Sequence, residues 1–250
     1  MSFTIALAGK GGTGKTTMAG LLIRYMLGKG LKPILAVDAD ANANLNEVLG
    51  VNYENTVGDA REEMKKGGLE GMTKDIFMDM RIQQALVEAD GFDLIVMGRP
   101  EGQGCYCAAN NLLAEIIEKL THNYRYLVVD NEAGMEHISR LTTRHIDVLL
   151  IVSDGSRRGL QAAIRIGELV KELGLTVLKK FVIINQVEKK EDTQWVDWEK
   201  LLAANDLIFL GVVPKDERIY EFDKEGKPTF TLPETSPAVK TALDLFEKIF

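Results

Sequence analysis

The chain has 250 residues, 46% hydrophobic and 27% charged, an ordinary globular balance with enough apolar material for a sizeable core. Its formal net charge of −7 removes the usual drive for non-specific nucleic-acid binding, and its longest apolar runs, such as Val148–Val152, fall far short of the ~20 residues of a membrane span. Two cysteines make no disulfide framework, and a strand pattern beginning at Phe3 leaves no room for a signal peptide, so a cytoplasmic location is expected.

In chain order, a strand pattern at Phe3–Ala8 runs into a glycine-rich loop and then a helical pattern at Lys15–Lys29. Pro33–Val37 reads as a strand, Asn52–Gly71 is polar and glycine-punctuated with no assignable role, and Thr73–Ala89 reads as a helix. There follow a strand at Phe92–Met97, a helix at Ala108–Leu120, strands at Tyr126–Val129 and Asp147–Val152, and a helix at Arg157–Leu173. A strand at Phe181–Ile184, a helix at Trp195–Ala203, a strand at Phe209–Val213 and a helical stretch at Pro237–Phe250 complete the chain. Several strands are apolar at successive positions, as expected when both sheet faces are covered. This alternation predicts an α/β fold: a doubly wound, mainly parallel sheet with helices on both faces. No linker, repeat or low-complexity tract divides the sequence, so residues 1–250 are expected to form a single domain. Ligands on such sheets sit at the carboxyl ends of the strands.

Residues 9–16 read Gly-Lys-Gly-Gly-Thr-Gly-Lys-Thr and match G-x-x-x-x-G-K-[ST] in full, between a strand and a helix. Gly9, Gly11, Gly12 and Gly14 let the backbone wrap a phosphate with its N–H groups inward, and the following helix presents its positive end to the same group. Lys15 suits neutralisation of β/γ oxygens, and the Thr16 hydroxyl can ligate Mg²⁺. With Lys10, Thr13 and Thr17, these residues form the expected ATP/ADP-binding set.

The additional lysine at position 10 gives K-G-G-x-G-K-[ST] over Lys10–Thr16, and here the chain resembles the deviant Walker A ATPases, a class that includes MinD, ParA, ArsA and the nitrogenase iron protein. The resemblance implies ATP hydrolysis by a homodimer in which Lys10 reaches the partner's nucleotide. It implies that Asp40, in the Asp38–Asn44 segment, orients the attacking water as part of a first switch, with Asp38 near the Mg²⁺ shell. Asp130 takes the Walker B position, holding Mg²⁺ through water, and Asn131–His137 resembles the second switch, where Gly134 could direct an N–H toward the γ-phosphate. His137 reads as a helix-face histidine. Asn185 and the Pro214–Arg218 loop match the places where the class holds adenine.

The two cysteines stand as Cys105-Tyr-Cys107 in a glycine-rich segment ahead of the Ala108–Leu120 helix. A nearby helix start favours thiolate, and thiolates select Zn²⁺, Ni²⁺, Cu⁺ or iron–sulfur clusters over Mg²⁺. Two thiols cannot complete a tetrahedral site; a two-fold dimer doubles them. Four thiolates on the axis would couple Ni²⁺ or Zn²⁺ binding to dimer closure. A deviant P-loop with C-x-C in this region resembles the CooC-type ATPases that mature nickel carbon monoxide dehydrogenase, which implies nickel insertion into that client enzyme. Two other readings are a spatial regulator of the MinD or ParA kind and a redox ATPase with a shared [4Fe–4S] cluster. The first wants a basic amphipathic tail or a basic surface. The last helix instead carries balanced charge and an apolar face (Val239, Leu243, Phe246, Ile249, Phe250) that suits packing on the sheet, so neither a nucleic-acid nor a membrane partner is expected.

Overall fold

The computed structural model describes residues 2–65, 71, 73–99, 105–133, 145–188 and 195–250. Its strands are β1 (Phe3–Ala8), β2 (Ile34–Ala39), β3 (Leu86–Glu88), β4 (Phe92–Val96), β5 (Tyr126–Asn131), β6 (His145–Asp154), β7 (Thr176–Val187) and β8 (Ile208–Pro214). They form one sheet in the order β3-β4-β2-β5-β1-β6-β7-β8. Every pairing is parallel except that of β3 with β4. The helices are α1 (Lys15–Gly28), α2 (Leu45–Leu49), α3 (Val57–Lys65), α4 (Lys74–Ala85), α5 (Cys105–Leu120), α6 (Arg157–Glu172), α7 (Trp195–Ala203), α8 (Glu217–Lys224) and α9 (Pro237–Phe246).

Successive strand residues point to opposite faces, and each face has its own core. Val148, Leu150 and Val152 of β6 pack with Met18 and Met26 of α1 and with Val239 and Phe246 of α9. Leu149 and Ile151 pack with Leu113 and Ile117 of α5 and Ile166 of α6. This is the doubly wound α/β arrangement that the alternation of patterns predicts.

Several features differ from expectation. The helix expected over Thr73–Ala89 ends at Ala85, and Leu86–Glu88 turns back as an antiparallel edge strand, closed by Ala89 N–H donating to the Phe92 carbonyl at 3.0 Å. The apolar run through Ala85 and Leu86 hid that break, because a short apolar stretch fits either element. Helices α2, α3 and α8 were not expected. Only Ile219 and Phe222 of α8 pack, half-buried, against the core, and eight residues are too few for that spacing to stand out in the sequence. Strands β5, β7 and β8 run on through polar residues or proline, which places Asp130, Asn185 and Pro214 in the last rungs of the sheet rather than in the loops after it.

Helix α9 ends at Phe246, short of Phe250, and packs on α1 and β8; of the expected apolar face Val239, Phe246 and Ile249 are buried and Leu243 half-buried, whereas Phe250 is exposed. Phe246→Ala should lower stability by about 3–5 kcal/mol in urea denaturation. Phe250→Ala, at a ring 46% exposed, should cost far less.

Candidate functional site

The glycine-rich loop leaves the sheet between β1 and β6. A Cβ at Gly9 would collide with the Val152 carbonyl of β6, so the loop can pass there only as glycine. Gly12 and Gly14 are left-handed, with φ of 78° and 87°, the kind of backbone that turns successive N–H groups into one concavity. Gly14 is the N-cap of α1 and supplies no side-chain cap, so no side chain claims the donors of the first helical turn through it. Thr13 Oγ1 donates to the Lys10 carbonyl at 2.9 Å, and Lys15 Nζ curls back to the same oxygen at 3.4 Å. From β7, Asn185 Nδ2 donates to the Thr13 carbonyl at 2.8 Å and Gln186 Nε2 to the Gly12 carbonyl at 3.2 Å. Lys10 is exposed at the rim.

Beside the loop, the parallel register sets Asp38 of β2 opposite Asp130 of β5, and Asp130 opposite Leu7 of β1. Asp130 is 1% exposed, and its Oδ1 is buried without a hydrogen-bond partner. Burial pushes its carboxyl up to about 7, against the hydrogen bond from Thr16. Burial also pushes Asp38 up to about 6, although its Oδ1 accepts Asp40 N–H at 3.1 Å and its Oδ2 accepts Leu45 N–H at 2.9 Å. Asp38 thus anchors both ends of the 40–45 segment, a task that sequence reasoning missed. Burial lowers the pKa of Lys15, and the charges of Asp130, Asp40 and Glu132 oppose that shift. A buried carboxylate oxygen with no donor, next to a threonine hydroxyl, is a pair that could hold Mg²⁺. Asp40 is half-buried and accepts Asn42 N–H at 2.8 Å.

Two cavities meet at the loop. One, of about 880 Å³, is bounded by Gly12, Lys15, Thr16, Asp40 and Asn44. The other, of about 810 Å³, is bounded by Asn185, Gln186, Pro214, Asp216 and Tyr220; Gly14 and Thr17 border both. Asn185 and Pro214 therefore stand together beside the loop. Gln186 and Tyr220 are additions, and only their nearness in sequence to Asn185 and Pro214 signalled them. A cavity of about 920 Å³ also opens at the opposite end of the sheet, near Ser2, Thr121, His122 and His145. It is larger, but it lies away from the glycine loop and both buried aspartates, the groups that the nucleotide-binding motif supplies.

Helix α5 begins at Cys105, so Cys105 and Cys107 stand in its first turn rather than in the loop before it. Their side chains lie outside the described residues, as do Gly134, His137 and the rest of the expected second switch beyond Ala133. Among the described residues no group of three or more His, Cys, Asp or Glu is arranged to hold a metal ion, and no helix is long and apolar enough to cross a membrane.

A glycine loop that joins a parallel strand to a helix opening on Lys-Thr, with a buried aspartate on the next strand, defines a P-loop ATPase. The chain belongs to the CbiA family, the CobQ/CobB/MinD/ParA nucleotide binding domain, which matches residues 4–230. It is 43% identical to an uncharacterized ATP-binding protein of Methanocaldococcus jannaschii, over 98% of this chain and 97% of that one. It is 31% identical to the carbon monoxide dehydrogenase accessory protein CooC of Rhodospirillum rubrum, over 94% and 91%. Its fold matches the septum site-determining protein MinD of Pyrococcus horikoshii, solved in complex with Mg-ADP, with a TM-score of 0.71, 25% identity, and coverage of 100% and 96%.

The raised carboxyls give the nucleotide-free protein a defined pH response. Asp130 (about 7) and Asp38 (about 6) keep protons that the unfolded chain releases near the ordinary value of about 4. The folded state therefore binds more protons than the unfolded state over that interval. The stability that these two groups contribute is greatest at its acid end and is lost as pH rises through about 7. Asp130→Asn should flatten the pH dependence of the apo melting temperature between about pH 5 and 8 and raise the midpoint at pH 8, while abolishing ATP turnover.

Proposed function

We propose that this ATPase is a metal-inserting chaperone that binds Ni²⁺ or Zn²⁺ through Cys105 and Cys107 of two copies and delivers it to a client metalloenzyme. The observation that carries this reading is the Cys-x-Cys pair, which holds both cysteines of the chain and lies in the first turn of α5. A helix N-terminus lowers thiol pKa and favours the thiolate that binds metal. The similarity to the carbon monoxide dehydrogenase accessory protein supports nickel as cargo and that dehydrogenase as client. On this reading residues 1–250 act as one cytoplasmic domain with no nucleic-acid or membrane partner.

Lys15 and the N–H groups of the loop receive the β- and γ-phosphates. Lys10, exposed at the rim, crosses to the phosphates of the second copy. Asn185 and Pro214 border the adenine. Thr16 and Asp130 would hold Mg²⁺, which supplies charge neutralisation at the phosphates when bound. Asp40 orients a water whose oxygen bonds to the γ-phosphorus as the bond to the β-phosphate oxygen breaks, giving ADP and phosphate. Loss of the γ-phosphate removes the contact that draws the Asp40 segment toward the nucleotide, the dimer loosens and the thiolates open.

The resemblance to solved MinD structures favours a second reading, a spatial regulator. That reading leaves the cysteines unused, and the apolar face of α9 is already covered by α1 and β8.

Titration of Ni²⁺ and Zn²⁺ into reduced protein should give one ion per dimer, lost in Cys105→Ala/Cys107→Ala; retained binding in that variant would overturn the thiolate site. A visible iron–sulfur absorbance after anaerobic purification would favour a redox ATPase instead. Lys10→Ala should keep nucleotide binding but lose ATP-dependent dimerisation in light scattering, and an unaltered dimer would remove Lys10 from the interface.

A further inference from the structure

Consecutive residues of a strand point to opposite faces, yet Asn185 and Gln186, neighbours on β7, both reach the phosphate loop. The ladder between β7 and β8 is irregular between Ile184 and Val187, and Gln186 has a left-handed backbone, φ 60°. A bulge of this kind re-aims side chains, and a left-handed non-glycine residue is a strained conformation that persists where the surroundings hold it. Here it lets two successive amides donate to two successive carbonyls, Asn185 to Thr13 at 2.8 Å and Gln186 to Gly12 at 3.2 Å. Asn185 is buried and fixed, whereas Gln186 is exposed and borders both cavities at the loop.

In a trans peptide the C=O and N–H point in opposite directions. Holding the Gly12 and Thr13 carbonyls toward β7 turns the N–H groups of Thr13 and Gly14 away from it. We propose that Gln186 is a positioning residue of the ATPase: through the Gly12 carbonyl it fixes the face of the Gly12–Thr13 peptide and so presents the Thr13 N–H to the nucleotide's phosphates. Without that contact the peptide, flanked by a left-handed glycine, is free to flip and offer its carbonyl to the anion instead. The assignment rests on the ATPase activity alone and is independent of the metal reading.

Three variants of the full-length protein separate the amide's task from a turn residue's. Gln186→Gly relieves the backbone strain and removes the donor. Its apo melting temperature should stay level or rise, while the ADP dissociation constant, read by fluorescent-ADP displacement, weakens about fivefold, as for one lost hydrogen bond. Gln186→Ala should weaken ADP similarly, with the kinetic loss falling on KM more than on kcat. Gln186→Lys, which restores a donor of comparable reach, should recover most of the affinity. Unchanged ADP affinity in the glycine and alanine variants would overturn the proposal, as would a lysine variant no better than alanine.

Discussion

The register of three neighbouring strands governs the rest of the molecule. Because β2, β5 and β1 run parallel and in step, Asp38, Asp130 and Leu7 lie on one rung, and the phosphate loop begins two residues after Leu7. A slip of one residue in either pairing would send an aspartate to the other face, and with it the unpartnered Oδ1 beside Thr16. These strands are apolar at successive positions and feed a separate core on each face, so the two buried aspartates are exceptions set within an otherwise apolar pattern. The raised carboxyls at 38 and 130 are the electrostatic cost of that placement in the absence of ligand.

Much of this was legible in the sequence because it is local. The loop at 9–16 depends on glycine positions and on the elements either side of it, and the alternation of strands and helices gave the doubly wound fold. What escaped was set by partners distant in the chain. The β3 hairpin is extended because β4 offers it a ladder, not because Leu86–Glu88 differs from the helix before it. Asp38 as an anchor of Asp40 and Leu45 depends on the path of a turn seven residues long. The amide pair at 185–186 depends on a bulge between β7 and β8 that no spacing announces. Asn185 was expected as an adenine contact, and the structure adds that its amide already grips the Thr13 carbonyl.

The carboxyl end of β2 is also bonded to the chain leading toward the cysteines. Met97 N–H donates to the Asp38 carbonyl at 2.9 Å, and Gly58 N–H at the start of α3 donates to the Met97 carbonyl at 2.9 Å. Thr56 packs against the Gly98 backbone and exchanges hydrogen bonds with Asp59, which secures the first turn of α3. Helix α3 in turn lies against α5. The described part of the stretch without an evident role, residues 52–65, is thus a brace between the strand that carries Asp38 and the helix that carries Cys105 and Cys107.

Helix α1 opens on Gly14, which contributes no side chain to close its first turn. Most helices carry their own closing group; here the substrate's phosphates are the natural complement of that end, and they also answer the lysine beside it. The fold is in that sense completed by what it consumes, and each equivalent of nucleotide bound adds to folding stability by mass action. The least stable moment of the cycle is then the interval between product departure and the next arrival. A protein of this design is most exposed to unfolding and proteolysis when the cell's adenylate supply runs low, so its persistence and its usefulness decline together.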